Sequence, residues 1–329
     1  MLTRRHLLAA STAGLLSSGA SFVPGAFAQA AKKPAHVIVG FPAGGGTDVI
    51  ARILADGLRG PYASTVLVEN KPGAAARIAV EYVKNAEPDG SVMLFTPDFP
   101  MTVYPHSFRS LSYDPLRDFI AVSPAAKSML TYNVGPAVSE SVKTLAEFAQ
   151  WCKANPGKAS YATTAAGGTP HFVGMMFASA AGVAMTPMHY RGGAPALQDL
   201  LGGHVPASVN PISEALPMAK QGALRILAIT GSRRSRFLPE VPTMKEAGYD
   251  VVVESWLGMF LPAHTAQEQL NALSRALEVV LKGPDYAESL AKFGNEPTFQ
   301  TPAEFASRVR ADIERWGPVV KASGFVAED

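Results

Sequence analysis

At 329 residues the chain is long enough for about two domains with sizeable cores. Hydrophobic residues make up 47% and charged residues 17%, with no low-complexity tract, which excludes a disordered chain. Basic and acidic residues number 29 and 27, and a basic leader accounts for the excess, so a nucleic-acid or anionic-membrane partner is excluded.

That leader is residues 1–28. Arg4 and Arg5 form a positive start, residues 7–27 are weakly apolar and broken by Pro24, and Ala26-Phe27-Ala28 is a small-x-small cleavage site. The stretch is too broken for a membrane anchor. It reads as a cleaved signal peptide that sends the protein to the periplasm. Thr3-Arg4-Arg5-His6-Leu7-Leu8 also resembles a twin-arginine signal, with Ala9 where that motif often has Lys, so both export routes stay open.

Residues 36–41, HVIVGF, read as a buried strand. Pro42-Ala43-Gly44-Gly45-Gly46 then turns the chain, and Thr47 or Asp48 can cap a helix whose apolar face carries Val49, Ile50, Ile53 and Leu54. A glycine turn at a helix N-terminus aims backbone N–H groups outward at the positive end of the helix dipole, a setting for an anion. Residues 65–70 and 92–96 read as further strands, with a helix over 77–85 between them, and this alternation predicts a parallel sheet. Ligands of such sheets gather beyond the strands' carboxyl ends, where the first turn and Thr96-Pro97-Asp98 fall.

Residues 130–134 are an apolar segment that crosses into a second lobe. A helix over 142–154 holds Cys152, the single cysteine, which reads as a buried small hydrophobe and not a nucleophile. The strand–turn–helix pattern then recurs, with Ala166-Gly167-Gly168-Thr169 as the turn, Pro170 in the first helical turn and His171 beside it. A helix around 194–201, a strand over 205–209 ending at Asn210, a helix over 213–221 and a strand over 224–230 follow. Residues 251–261 return to the first lobe, and amphipathic helices over 266–282 and 302–316 pack back on it. Two glycine turns on facing lobes would enclose a small carboxylate.

FPAGGGTDVIAR, VENKPGAAARIAVEYV, SYDPLRDF, HYRGGAPALQDLLGGHV, LRILAITGSRR, LPEVPTMKEAGY and SWLGMFLPA stand in this order over nearly the whole mature chain. By these blocks the chain resembles the periplasmic solute-binding proteins of the tripartite tricarboxylate transporter family, the Bug-type receptors. The resemblance implies an α/β, two-lobe class II periplasmic-binding-protein fold, each lobe a mostly parallel sheet flanked by helices. Residues 29–130 plus 250–329 would form lobe 1, and 131–249 lobe 2. It implies binding without catalysis or cofactor, a monomer, and delivery of a small carboxylate to membrane transporter subunits. The ligand would be held by Phe41, Ala43, Gly44, Gly45, Gly46, Thr47 and Asp48 of the first turn, and by Ala166, Gly167, Gly168, Thr169 and His171 of the second, with Tyr190 and Asn210.

Two departures from the family pattern bear on the ligand. Thr169 stands where many relatives have Ser, and Asn210-Pro211 where many have an Asp-Asn pair. Asn210 offers no charge to a ligand ammonium, so a carboxylate without an amine is expected. Each side chain also has a plainer reading: Asp48 as a helix cap, His171 as a structural histidine, Tyr190 and Trp256 as core aromatics, Arg191 as a surface residue. The seven histidines include no i, i+4 pair, so no metal site is expected. An exported hydrolase is disfavoured because there is no Gly-x-Ser-x-Gly elbow, Walker A or zinc signature. A receptor that reports to a membrane signalling protein would have the same binding lobes.

Overall fold

The computed structural model describes residues 33–327; the expected signal peptide and its cleavage site lie outside them. The first half of the chain runs β1 (Ala35–Val39), α1 (Gly46–Leu58), β2 (Val66–Asn70), α2 (Arg77–Lys84), β3 (Val92–Pro97), the short α3 (Phe99–Thr102) and α4 (Tyr104–Ser107), β4 (Phe119–Ser128) and β5 (Leu130–Val134). Next come α5 (Leu145–Ala154), β6 (Ser160–Thr163), α6 (Thr169–Ala181), β7 (Thr186–His189), α7 (Gly193–Leu201), β8 (Ala207–Pro211), α8 (Ile212–Lys220) and β9 (Arg225–Ile229). β10 (Ser255–Pro262), α9 (Gln267–Lys282), α10 (Pro284–Ala291), β11 (Glu296–Pro297) and α11 (Pro302–Ser323) complete it.

The strands form two sheets, ordered β11-β4-β10-β3-β1-β2 and β7-β6-β8-β5-β9. Helices flank both, giving the expected two-lobe α/β fold. The sheets are mixed, however, and not mostly parallel. β1 pairs in parallel with β2 and β3, but β10 runs antiparallel to both β3 and β4, and β5 antiparallel to both β8 and β9. The physical reason is the route of the chain. β4 leaves the first sheet and leads within two residues into β5 of the second, while β10 comes back the other way. β4 itself escaped the sequence reading, because Pro124 interrupts its pattern; the ladder with β10 absorbs it through register shifts.

Local chemistry accounts for the element ends. Thr144 and Glu147 form a capping box on α5, as do Thr301 and Glu304 on α11. α1 is different: its N-cap is Gly45, with no side-chain cap, so neither Thr47 nor Asp48 caps it. α9 and α11 both pack on the first sheet; α11 closes a cluster in which Trp256 meets Phe260 and Phe305, while Leu270, Leu273 and Leu277 of α9 join the main core.

One connection is strained. Ala74, Ala75 and Ala76 have φ of 45°, 53° and 74°, three successive left-handed residues before α2. Each costs about 1–2 kcal/mol for a residue with a Cβ. Ala74 is exposed, so it gives up no packing for this. Ala74→Gly is therefore expected to raise stability by about 0.5–1 kcal/mol, after the extra freedom of glycine in the unfolded chain is set against the relief. An unchanged or lower melting temperature would contradict this.

Candidate functional site

A cavity lies where the two sheets face each other, and the local topology explains its walls. β1, β6 and β7 each end at a turn that opens a helix, β8 runs directly into α8, and the N-termini of α1, α6, α7 and α8 all reach the lining, through Gly46, Thr169, Gly193 and Ser213. The first N–H groups of a helix lack an intrahelical acceptor and carry partial positive charge. Phe41, Phe99, Leu130 and Leu257 supply apolar wall. The cavity is small, ≈ 40 Å³, and partly open to solvent.

Two carboxyl groups stand in this wall. Asp98, 2% exposed at the end of β3, accepts from Ser255 Oγ at 2.8 Å and from Thr169 Oγ1 at 3.1 Å. Burial pushes it up to about 6, against those two hydrogen bonds. Glu214, in the first turn of α8, reaches across to α1: its Oε1 accepts from the Gly46 amide at 3.1 Å, and its Oε2 from Asn210 Nδ2 at 3.0 Å. Burial raises this carboxyl too, partly offset by the two donors. Each acid thus ties an element of one sheet to an element of the other. Arg191, expected on the surface, is exposed but lines the rim, and it is the one basic side chain in the lining.

The residues predicted from sequence divide. Phe41, Gly45, Gly46, Thr47 and Thr169 line the cavity. Ala43 and Gly44 are exposed and outside it. Asp48 faces away and braces the turn: its carboxylate accepts from the Gly44 amide at 2.9 Å, from Arg52 Nε and Nη2 at 2.9 Å each, and from Asn70 Nδ2 at 2.8 Å. Burial alone would raise it, but these bonds outweigh burial and hold it below its ordinary range. Ala166, Gly167 and Gly168 shape the second turn without reaching the lining, and Gly168 packs beside the Phe99 ring. Tyr190 lies outside, its hydroxyl donating to Asp199 Oδ2 at 2.6 Å. Asn210 is fully buried behind Glu214.

His171 is structural. It is 1% exposed, its Nδ1 accepts from the Gly167 amide at 3.2 Å, and its ring meets Phe325 and His189. Burial, with His189 adding, pushes it down to about 3, so it is neutral. The unfolded chain would take up this proton below about pH 6.5 and the folded chain only near pH 3, so this group costs stability progressively as pH falls between them. Asp98 acts oppositely, favouring the fold as pH falls from about 6 toward the ordinary carboxylate range. His171→Leu is expected to flatten the acid side of the stability profile; a slope between pH 6 and 4 equal to the parent's would refute the assignment.

Asp98 stands at the strand end where the sequence places a ligand, although it was not among the expected contacts, and Glu214 is the site residue that the motif reading missed. The signal for Glu214 was present, an acid two residues into a helix that follows a strand end, but it reads equally as an ordinary first-turn acid. The expected amine-free ligand rested on Asn210 leaving the cleft without an acid. Two acids line it, so that ground falls.

Comparison with known proteins fits this architecture. Residues 50–325 match the family model described as the tripartite tricarboxylate transporter family receptor. The chain is 32% identical to the Protein BugT of Bordetella pertussis, over 89% of this chain and 90% of that one. Among solved structures, the periplasmic binding protein BugD superposes with a TM-score of 0.84 at 29% identity, over 90% of this chain and 99% of that one. MatC from Rhodopseudomonas palustris, solved with malate, gives 0.82 at 26% identity, over 88% and 99%. An R. palustris protein solved with adipate gives 0.85 at 28%, over 90% and 99%. With the model match covering most of the chain, this protein belongs to the tripartite tricarboxylate transporter family of receptors.

Proposed function

We propose that the protein is a periplasmic solute receptor that captures a small carboxylate between its two lobes, releases it unchanged, and delivers it to the membrane subunits of a tripartite tricarboxylate-type transporter. The observation that carries this reading is the convergence of four helix N-termini on one cavity between the sheets, the arrangement that favours an anion. Relatives of the same fold solved with malate and adipate support it. The first turn brings the Thr47 amide to the wall, beside the Gly46 amide and the Thr169 hydroxyl that Glu214 and Asp98 hold. The lobes are taken as residues 29–130 with 250–329, and 131–249.

The test is a thermal-shift screen over mono- and dicarboxylates. A ligand that binds only the folded protein adds about 2.7 kcal/mol at a hundred times its Kd. The carboxylate should be recovered chemically unchanged after long incubation, and crosslinking in membranes should capture transporter subunits. A hydrolysed or modified product would point to an enzyme, and capture of a signalling protein to a sensor.

A further inference from the structure

We propose that the cleft selects ligands with a single carboxylate and an apolar body, and rejects dicarboxylates, because Glu214 and Asp98 already occupy the place of a second ligand carboxylate. This rests on the carboxylate-receptor reading above and narrows it.

The contacts of Glu214 carry the inference. Its carboxylate lies on the Gly46 amide at the N-terminus of α1, where a bound anion would lie, and the adjoining Asn210 amide holds the other oxygen. The site therefore contains its own anion. Glu214 is tightly set: a Cβ on Gly193 would stand 1.6 Å from Oε2, and one on Gly46 3.1 Å from Cγ. Asp98 repeats the arrangement on the other side of the cavity, buried, with both oxygens held by hydroxyls and one of these at the start of α6.

Charge then sets the number of ligand carboxylates. Each helix N-terminus acts as roughly half a positive charge, so the four together offset about two carboxylates. Asp98 and Glu214 take up that share. Arg191 is the one full positive charge left in the lining, and it matches one ligand carboxylate. A dicarboxylate would bring a fourth acid into a lining with no second cation to meet it, and like charges juxtaposed in this way disfavour binding. The rest of the ligand meets Phe41, Phe99, Leu130 and Leu257, among which the hydroxyls of Ser128, Thr164 and Ser213 are neutral and match no second carboxylate charge.

The experiment is calorimetric titration of the mature protein with benzoate, phenylacetate, succinate and adipate, repeated on Glu214→Gln and Asp98→Asn. Glutamine keeps the size of Glu214 and an oxygen for the Gly46 amide. We expect at least one monocarboxylate to bind about a hundredfold more tightly than either dicarboxylate, and Glu214→Gln to improve dicarboxylate binding about tenfold while changing the monocarboxylate less than about threefold. If Glu214→Gln fails to fold, the same narrowing of preference is read from Asp98→Asn. A parent protein that prefers succinate or adipate, or variants whose preference is unchanged, would overturn the inference and leave the carboxylate reading intact. Binding of no carboxylate of either class would overturn both.

Discussion

Trp256→Ala is expected to lower the stability of the protein by about 3–5 kcal/mol, the range for emptying a large aromatic site in a core. For a chain of this size that is a fall in melting temperature on the order of 10 °C. Trp256 has no exposed surface and sits near the start of β10, with ring centroids 4.9 Å from Phe305 of α11 and 5.9 Å from Phe260. Its indole Nε1 donates to Asp312 Oδ2 at 2.9 Å, which ties the strand to the same helix. Asp312 keeps its contacts with Arg308 and Arg315 when the indole is removed, so the loss is one of packing and not of a stranded charge. Circular-dichroism melts would check this, with Trp256→Phe retaining most of the stability. A loss below about 1 kcal/mol in the alanine variant would mean that the site collapses around the smaller side chain.

Gly45→Val is expected to do the reverse: to leave the fold nearly intact and to weaken carboxylate binding about 10- to 100-fold. Gly45 has φ −72° and ψ 163°, extended backbone that valine adopts without strain. An added Cβ would have Pro42 O at 3.4 Å and Glu214 Oε1 at 3.9 Å as its nearest neighbours, ordinary contacts. The methyl groups beyond that Cβ would stand in the lining beside the Thr47 amide. Losing one charge-assisted hydrogen bond there costs about 1.5–3 kcal/mol of binding. Paired melting and titration measurements decide the matter. Equal losses of stability and affinity would assign Gly45 to turn shape alone.

The legible part of this protein is the part carried by local pattern. The glycine turns, with a strand before and a helix after, place α1 and α6 at the cavity because the signal spans adjacent residues. The family blocks led to the correct fold for the same reason. β4 was lost because a proline in a strand reads as a break, and only the pairing with a strand more than a hundred residues later makes it one. Glu214, and the contacts of Asp98, were illegible for a related reason. Nothing in Pro97-Asp98 or Ser213-Glu214 shows that Thr169 and Gly46 lie opposite. The roles of Asp48 and His171 show the converse: both flank a glycine turn in sequence, yet one braces its turn through the Gly44 amide and the other through the Gly167 amide, outside the cavity.

The ladder between β3 and β10 bears on how the chain is made. Phe95 pairs with Met259 and Leu94 with Phe260, so the inner edge of the first sheet stays open until the whole of the second sheet has been synthesised. During that interval β1, β2 and β3 form an apolar three-stranded fragment with an unpaired edge, the kind of surface that chaperones engage and that misassociates between nascent chains. Closure of the first lobe must therefore follow the emergence of the C-terminal quarter. Truncations before Ser255 would leave the N-terminal strands without their partner, and such fragments should be recovered as aggregates.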